Sequence, residues 1–203
     1  AGGTGTLTSW DLSVGVKLMA FPVESRLRQV NSMVFNHNGN MLLAAGADGM
    51  VRVFDMVTHQ PIMGWPAHVG QVGSIALTAG ETSVMSVGFG GKVTEWSLHR
   101  VGRVVREFSL PVCAEPSAVY NTYPVVRPAL ALDTESEHFV ASSAASASSS
   151  SLSLYCTDTP HISQTLPVHS GSAVLSVDWH PAAALTLTTS SDHTAVLSSL
   201  AYL

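Results

Sequence analysis

The sequence predicts an all-β chain made of successive four-stranded antiparallel sheets, and three observations predict it. First, one segment recurs without gaps. Val30–Met56 (VNSMVFNHNGNMLLAAGADGMVRVFDM) aligns with Val72–Leu98 and with Val174–Leu200 over 27 positions, the first two copies being 42 residues apart. Val30, Val72 and Val174 coincide, as do Ser32, Ser74 and Ser176. Gly46 meets Gly88, Gly49 meets Gly91, Asp48 meets Asp192, and Phe54 falls on Trp96. Second, each copy alternates short apolar runs with turn residues, the pattern of strands and hairpins. Third, no segment sustains a 3.6-residue periodicity, so almost no helix is expected. A fixed period near forty residues with four strands per unit predicts a partial β-propeller of about four to five blade units, its ring not closed by these residues.

The elements follow from the first copy. Val30–Phe35 alternates, Asn36–Asn40 is a polar turn, and Met41–Ala45 is a second run. Asp48-Gly49 is a tight turn and Met50–Phe54 a third run. Pro61–Trp65 fits a fourth strand at the outer edge, where the missing proline amide is tolerated. A degenerate unit follows the second copy, with candidate strands at Ala129–Asp133, His138–Ala144 and Ser151–Cys156. Two features blur it: a loop from Pro111 to Pro128 holding four prolines, and the low-complexity stretch SSAASASSSSLS at Ser142–Ser153, read as a poorly specified hairpin turn. At the start, Thr6–Trp10 and Lys17–Phe21 look like the third and fourth strands of a further copy. The units are therefore 1–23 (partial), 24–66, 67–111, 112–167 and 168–203, the last without an outer strand. The first residue, Ala1, leads almost directly into a strand, so the natural N-terminus is expected upstream. An isolated piece of this kind is expected to aggregate, because raw blade faces would be left uncovered.

Composition narrows the function classes. Only 11% of the 203 residues are charged and the net charge is −5, so the phosphate-neutralising surface of a nucleic-acid binder is not expected. No apolar run approaches the ~18 residues of a membrane span, and no signal peptide opens the sequence. The two cysteines, Cys113 and Cys156, lack Cys-x-x-Cys spacing and suggest free thiols in a reducing compartment.

The motifs recur in phase with the repeat. Trp10-Asp11, its variant Phe54-Asp55 and Trp96-Ser97 close third strands, and Ala67-His68 and Val168-His169 stand where a Gly-His pair opens a unit. With these residues the chain resembles the WD-repeat β-propeller family over nearly its whole length. In that family a loop histidine, a second-strand hydroxyl, a turn aspartate and a third-strand tryptophan form a hydrogen-bond relay inside each blade. The resemblance assigns His68, Ser86 and Trp96 to one relay and His169, Thr188 and Asp192 to another. Gly90 replaces the aspartate in the first and Ser198 the tryptophan in the second. The Asp48 unit has Phe54 for tryptophan and Arg26 at the histidine position. Trp10 and Asp11 belong to the leading partial unit.

A narrower resemblance rests on the long run above, on AHVGQVGSI, EFSLP and VLSVDW, and is strongest over 30–100. It is to an endosomal branch of the family. That resemblance implies a non-catalytic scaffold on the cytosolic side of early and late endosomes. It implies a late-endosomal Rab GTPase and subunits of a phosphatidylinositol 3-kinase complex as partners, with a role in early-to-late endosome conversion. The alternative is a propeller of another class, such as a ubiquitin-ligase substrate receptor.

No cofactor is expected. Of the nine histidines, His59, His99, His138, His161 and His193 fall in or near turns without ligands at zinc-site spacing. No Gly-x-Ser-x-Gly elbow supports a hydrolase. The opening AGGTGT lacks the Lys-Ser/Thr of a phosphate loop, and Glu135 and Glu137 read as a solvated turn. The face formed by the loops entering first strands and those joining second and third strands offers Arg28, Gln71 and Phe89 as partner-binding candidates, Phe89 being either packed sideways or exposed as an anchor.

Overall fold

The computed structural model describes residues 7–21, 29–111, 126–142, 151–159 and 161–200. Every regular element among them is a strand. A leading hairpin pairs β1 (Leu7–Asp11) with β2 (Val16–Phe21). Blade 1 contains β3 (Val30–Phe35), β4 (Met41–Gly46), β5 (Met50–Asp55) and β6 (Pro61–Pro66). Blade 2 contains β7 (Val72–Leu77), β8 (Ser83–Gly88), β9 (Lys92–Ser97) and β10 (Arg103–Ser109). Blade 3 contains β11 (Leu130–Leu132), β12 (His138–Ala141), β13 (Ser151–Cys156) and β14 (Ile162–Pro167). Blade 4 has three strands, β15 (Val174–Trp179), β16 (Leu185–Ser190) and β17 (Ala195–Ser199). Each sheet is an antiparallel meander in chain order, and β3, β7, β11 and β15 adjoin in turn along the inside of an open propeller.

The repeat is a structural repeat down to its irregularities. Val30, Val72 and Val174 each begin a first strand and pair with Gly46, Gly88 and Ser190. The register then skips one residue in all three, between Val30 and Ser32, Val72 and Ser74, and Val174 and Ser176. Such bulges raise the local twist. The skipped Asn31 reaches across to blade 2, its Nδ2 donating to the Val72 carbonyl at 2.7 Å. Sequence reasoning named three strands for blade 3; β14 is the fourth, and its alternating exposure resembles β6 rather than a core strand. The Pro-rich segment 112–125, the Ser/Ala-rich segment 143–150, Cys113, Arg26 and Arg28 lie outside the described residues.

The core sits between blades. In β4, Leu43 and Ala45 face blade 2, while Leu42 and Ala44 face the leading hairpin. Burial on both faces explains why MLLAAG carries no polar alternation. Outer strands keep one anchor each on the same register: Phe21 opposite Leu7, Trp65 opposite Val51 and Phe108 opposite Val93, all buried, and the half-buried Leu166 opposite Leu152. Between blades 2 and 3, Phe139 and Tyr155 stack at 4.8 Å with Phe108 edge-on, and the Tyr155 hydroxyl donates to the Ser109 carbonyl at 2.7 Å.

The two end faces differ from the inner ones at equivalent positions. Leu43 and Met85 are fully buried by the following blade, whereas their counterpart Leu187 on blade 4 is 45% exposed. Val53 is buried and its counterpart Leu197 is exposed. On the other end, Ile75 and Leu77 of β7 pack against blade 1, while Met33 and Phe35 at the same positions of β3 are exposed. The sequence repeats a blade-covering pattern at both ends, where no blade is present among the described residues.

Candidate functional site

The first histidine network is placed by the turn of the blade before it. Gly49 sits at φ +80°, a conformation that favours glycine, and its carbonyl accepts hydrogen bonds from Ala67 N at 2.8 Å and His68 N at 3.1 Å. This fixes the entry of blade 2 and lays the His68 ring over Gly88, where a Cβ would lie 2.5 Å from Nδ1. His68 Nε2 meets Ser86 Oγ at 2.8 Å, and Trp96 Nε1 donates to the same oxygen at 2.8 Å. Ser86 is fully buried on β8, and its other contact is the Thr94 carbonyl at 3.4 Å. Trp96 also stands edge-on to His68, with ring centroids 6.5 Å apart, and near Trp65 at 6.3 Å. Burial lowers the His68 pKa below its ordinary value, so the neutral imidazole is favoured.

The second network is built differently. His169 Nε2 meets Thr188 Oγ1 at 3.0 Å, and Nδ1 meets Thr194 Oγ1 at 3.0 Å. Thr194 Oγ1 in turn donates to Asp192 Oδ1 at 2.6 Å, while Asp192 Oδ2 lies 3.6 Å from His169 Nδ1. Asp192 also accepts from Thr194 N at 2.9 Å. The Thr194 hydroxyl bond, followed by smaller backbone and charge effects, holds the Asp192 carboxyl below its usual range. Thr194 was not foreseen. Its signal is local: a threonine two residues after a turn aspartate, the spacing at which Asp caps a backbone amide.

Other expected members stand apart from any histidine. Asp48 forms a fork with Arg52, Nη1 to Oδ1 at 3.2 Å and Nη2 to Oδ2 at 2.7 Å. Phe54, which has no N–H to donate, packs edge-on against Phe21 at 5.6 Å. Trp10 is 49% exposed and donates to Thr8 Oγ1 at 3.1 Å in its own strand. Asp11 accepts from Ser13 N at 2.8 Å and Ser13 Oγ at 2.6 Å, and those bonds lower its pKa. Asp55 does the same work toward Val57 N at 2.7 Å and Thr58 N at 3.2 Å, and Ser97 Oγ accepts from Arg100 N at 3.1 Å. The residue after the third-strand aromatic therefore caps the next turn in all three units.

On the proposed partner face, Phe89 is only 8% exposed, so it offers no ring to a partner; its amide donates to the Gln71 carbonyl at 3.0 Å. Gln71 is half-buried and its Oε1 lies 3.5 Å from Asn31 Nδ2. Among the described residues no group of three His, Cys, Asp or Glu side chains is placed to hold a metal ion, and no helix is long and apolar enough to cross a membrane.

Four-stranded blades, a repeated first-strand bulge and two histidine–hydroxyl networks define a structural class, and the family comparison agrees with it. The WD40 pattern (WD domain, G-beta repeat) matches residues 23–55 and 161–197. The chain thus shares the architecture and, over these two segments, the sequence pattern of WD-repeat β-propellers. The particular proteins it is similar to are called WD repeat-containing protein 91. That of Xenopus tropicalis is 41% identical over 107 residues, which is 53% of this chain and 14% of that protein. That of Pongo abelii is 38% identical over 59% of this chain and 17% of its own length. That of Danio rerio is 34% identical over 66% of this chain and 20% of its own length. The chain thus spans about a fifth or less of these relatives.

Proposed function

We propose that this chain is part of a non-catalytic scaffold that acts at endosomes, as an effector of a late-endosomal Rab GTPase and a restraint on a phosphatidylinositol 3-kinase complex during early-to-late endosome conversion. The observation that carries the reading is the identity of 34–41% to WD repeat-containing protein 91 from several vertebrates. The chemistry of the chain supports a scaffold. Its two networked histidines are committed to hydroxyl partners within blades, where a satisfied buried network rigidifies the structure. The role places the protein on the cytosolic side of early and late endosomes, held there by protein contacts.

The test is a pull-down with the full-length protein against the late-endosomal Rab loaded with GTP or GDP, followed by a lipid-kinase assay of the complex. GTP-selective capture and a lowered kinase rate are expected. Equal capture in both nucleotide states, with an unchanged kinase rate, would overturn the proposal.

A further inference from the structure

The geometry points to a site for an acidic side chain of a protein partner at the entry end of the propeller axis, where Arg127 shares a cavity with three serines. The cavity encloses about 210 Å³. Ser32 of β3, Ser74 of β7 and Ser176 of β15 line it, with Arg127 from the segment that leads into β11. The serines are the repeat-equivalent residues that follow the first-strand bulge. The arginine is not part of the repeat. It stands three residues before the start of β11, where the other units have Leu27, Val69 and Gly171 before Val30, Val72 and Val174.

The chain sets Arg127 in place. Pro128 follows it, and a residue before proline is confined to extended backbone. Pro128 is buried on Gly73, the residue that the blade 2 bulge skips. A Cβ at Gly73 would stand 2.4 Å from Pro128 Cγ and 2.5 Å from its Cδ, so the proline ring needs a glycine there. Ala129 N then donates to Ser142 Oγ at 3.1 Å, which ties the segment to blade 3. Binding at Arg127 therefore requires little ordering of the backbone.

Three features specify the occupant. The first is charge. Arg127 is half-buried and makes no ion pair or hydrogen bond with any described residue. Among the described residues no Asp, Glu or Lys lines the cavity. Asp133 and Asp178 line a separate cavity toward the other end of the same strands. Asp133 is on the order of 20 Å of extended chain from Arg127, well beyond the screening length of about 8 Å. A partly desolvated guanidinium without a counterion is matched by a carboxylate, which takes its fork in two parallel bonds. The second feature is donors. Ser32 Oγ accepts from Ile75 N at 3.2 Å, which leaves its proton to donate. The side-chain hydroxyls of Ser74 and Ser176 make no hydrogen bond with a described residue. The third is size. Small-molecule pockets begin at about 300 Å³, so this cavity suits one side chain of a partner better than a free metabolite. A single cation also balances the one charge of a carboxylate, whereas a phosphate brings about −1.5 to −2.

The experiment is fluorescence anisotropy on the full-length protein with a labelled peptide of alternating glycine and glutamate. It is set against the glutamine and phosphoserine counterparts. The net charge of −5 on this chain works against acidic peptides in general, so capture reports a local site. The glutamate peptide should bind, the glutamine peptide should not, and the phosphoserine peptide should bind no more tightly than the glutamate one. Arg127→Gln should weaken binding about tenfold or more, the scale of losing a charge-assisted hydrogen bond. Should that variant fail to fold, Arg127→Lys keeps the charge and loses the fork, and should weaken binding about threefold, the scale of one hydrogen bond. Arg103→Gln, on the exposed outer strand β10, should leave affinity within about twofold, as for a solvent-screened surface charge. Equal binding of the glutamate and glutamine peptides, tighter binding of the phosphoserine peptide, wild-type affinity in Arg127→Gln or, if that variant does not fold, in Arg127→Lys, or an equal loss in Arg103→Gln would overturn the proposal. None of these readouts depends on Rab or kinase binding.

Discussion

Blades 2 and 4 carry the same kind of histidine network and complete it from opposite ends. Blade 2 has the tryptophan and lacks the acid: His68, Ser86 and Trp96 are linked, and Gly90 stands where an aspartate would. Blade 4 has the acid and lacks the tryptophan: His169 reaches Asp192 through Thr194, and Ser198 stands at the aromatic position. His68 precedes the first-strand valine by four residues and His169 by five. That single residue changes which atoms the ring can approach. In blade 2 the ring lies on Gly88, whereas in blade 4 the equivalent position is Ser190, whose side chain is accommodated. The difference teaches that the second-strand hydroxyl, Ser86 or Thr188, is the constant of the blade, and that the other partners are interchangeable around it.

The largest effect that would break this comparison is at Gly88. A methyl there would lie 2.5 Å from His68 Nδ1 and 2.7 Å from its Cγ, so the ring must leave Ser86 or the strand must shift. Gly88→Ala should cost about 1–3 kcal/mol, the usual penalty of overpacking. Ser190→Ala in blade 4 should cost about 1 kcal/mol or less, since what is lost is a 3.4 Å bond from Asp192 N and a minor side-chain bond to the Asp192 carboxyl. Denaturant melts of the two full-length variants measure the contrast. Equal losses would mean the two rings are held alike.

Thr194 tests the other half. Thr194→Val keeps the shape and removes the hydroxyl that joins His169 Nδ1 to Asp192. The loss should be about 1 kcal/mol. It should come with a rise in the Asp192 pKa, because the Thr194 side-chain bond is the first cause of its depression. A folded-state pKa below the unfolded value gives stability that is present above the unfolded pKa and lost as pH falls through the folded one. The variant should therefore show a weaker acid dependence near pH 3–4, the ordinary range for this group.

The repeat made much of this legible beforehand. Strands with punctuating turns, such as Val30–Phe35 and Ser151–Cys156, coincide with their observed ends because alternation and turn residues are local signals. β14 was missed because Ile162–Pro167 is an outer strand with few buried contacts, and only burial gives a strand a strong pattern. The polar partners were harder. Sequence phase locates Asp48 but cannot show that Arg52 takes its carboxylate, nor that Asp11 and Asp55 turn toward the amides of the next turn. Those choices depend on which competing donor lies nearest in space. Phe89 was legible as one of two alternatives, and only its burial decides between them.

The smallest effect sharpens the comparison by giving blade 2 what it lacks. A Cβ at Gly90 meets nothing within 4 Å, so Gly90→Asp has room for its side chain. Asp48 and Asp192 occupy the same turn position in the other repeats. A carboxylate there would stand near His68 and beside Lys92, whose charge already opposes protonation of the ring. In the wild type, burial lowers the His68 pKa, so below pH ~6.5 the unfolded chain binds the proton more readily and this group's contribution lowers stability as pH falls. Gly90→Asp should raise the folded pKa of His68 and flatten that slope, while adding about 0.5 kcal/mol near neutral pH. Chemical denaturation of both proteins at pH 7.5 and 5.5, repeated in a His68→Gln background, isolates the contribution. If the difference between wild type and Gly90→Asp is the same at both pH values, or survives intact in the His68→Gln background, the new carboxylate does not reach the imidazole, and blade 2 is complete without an acid.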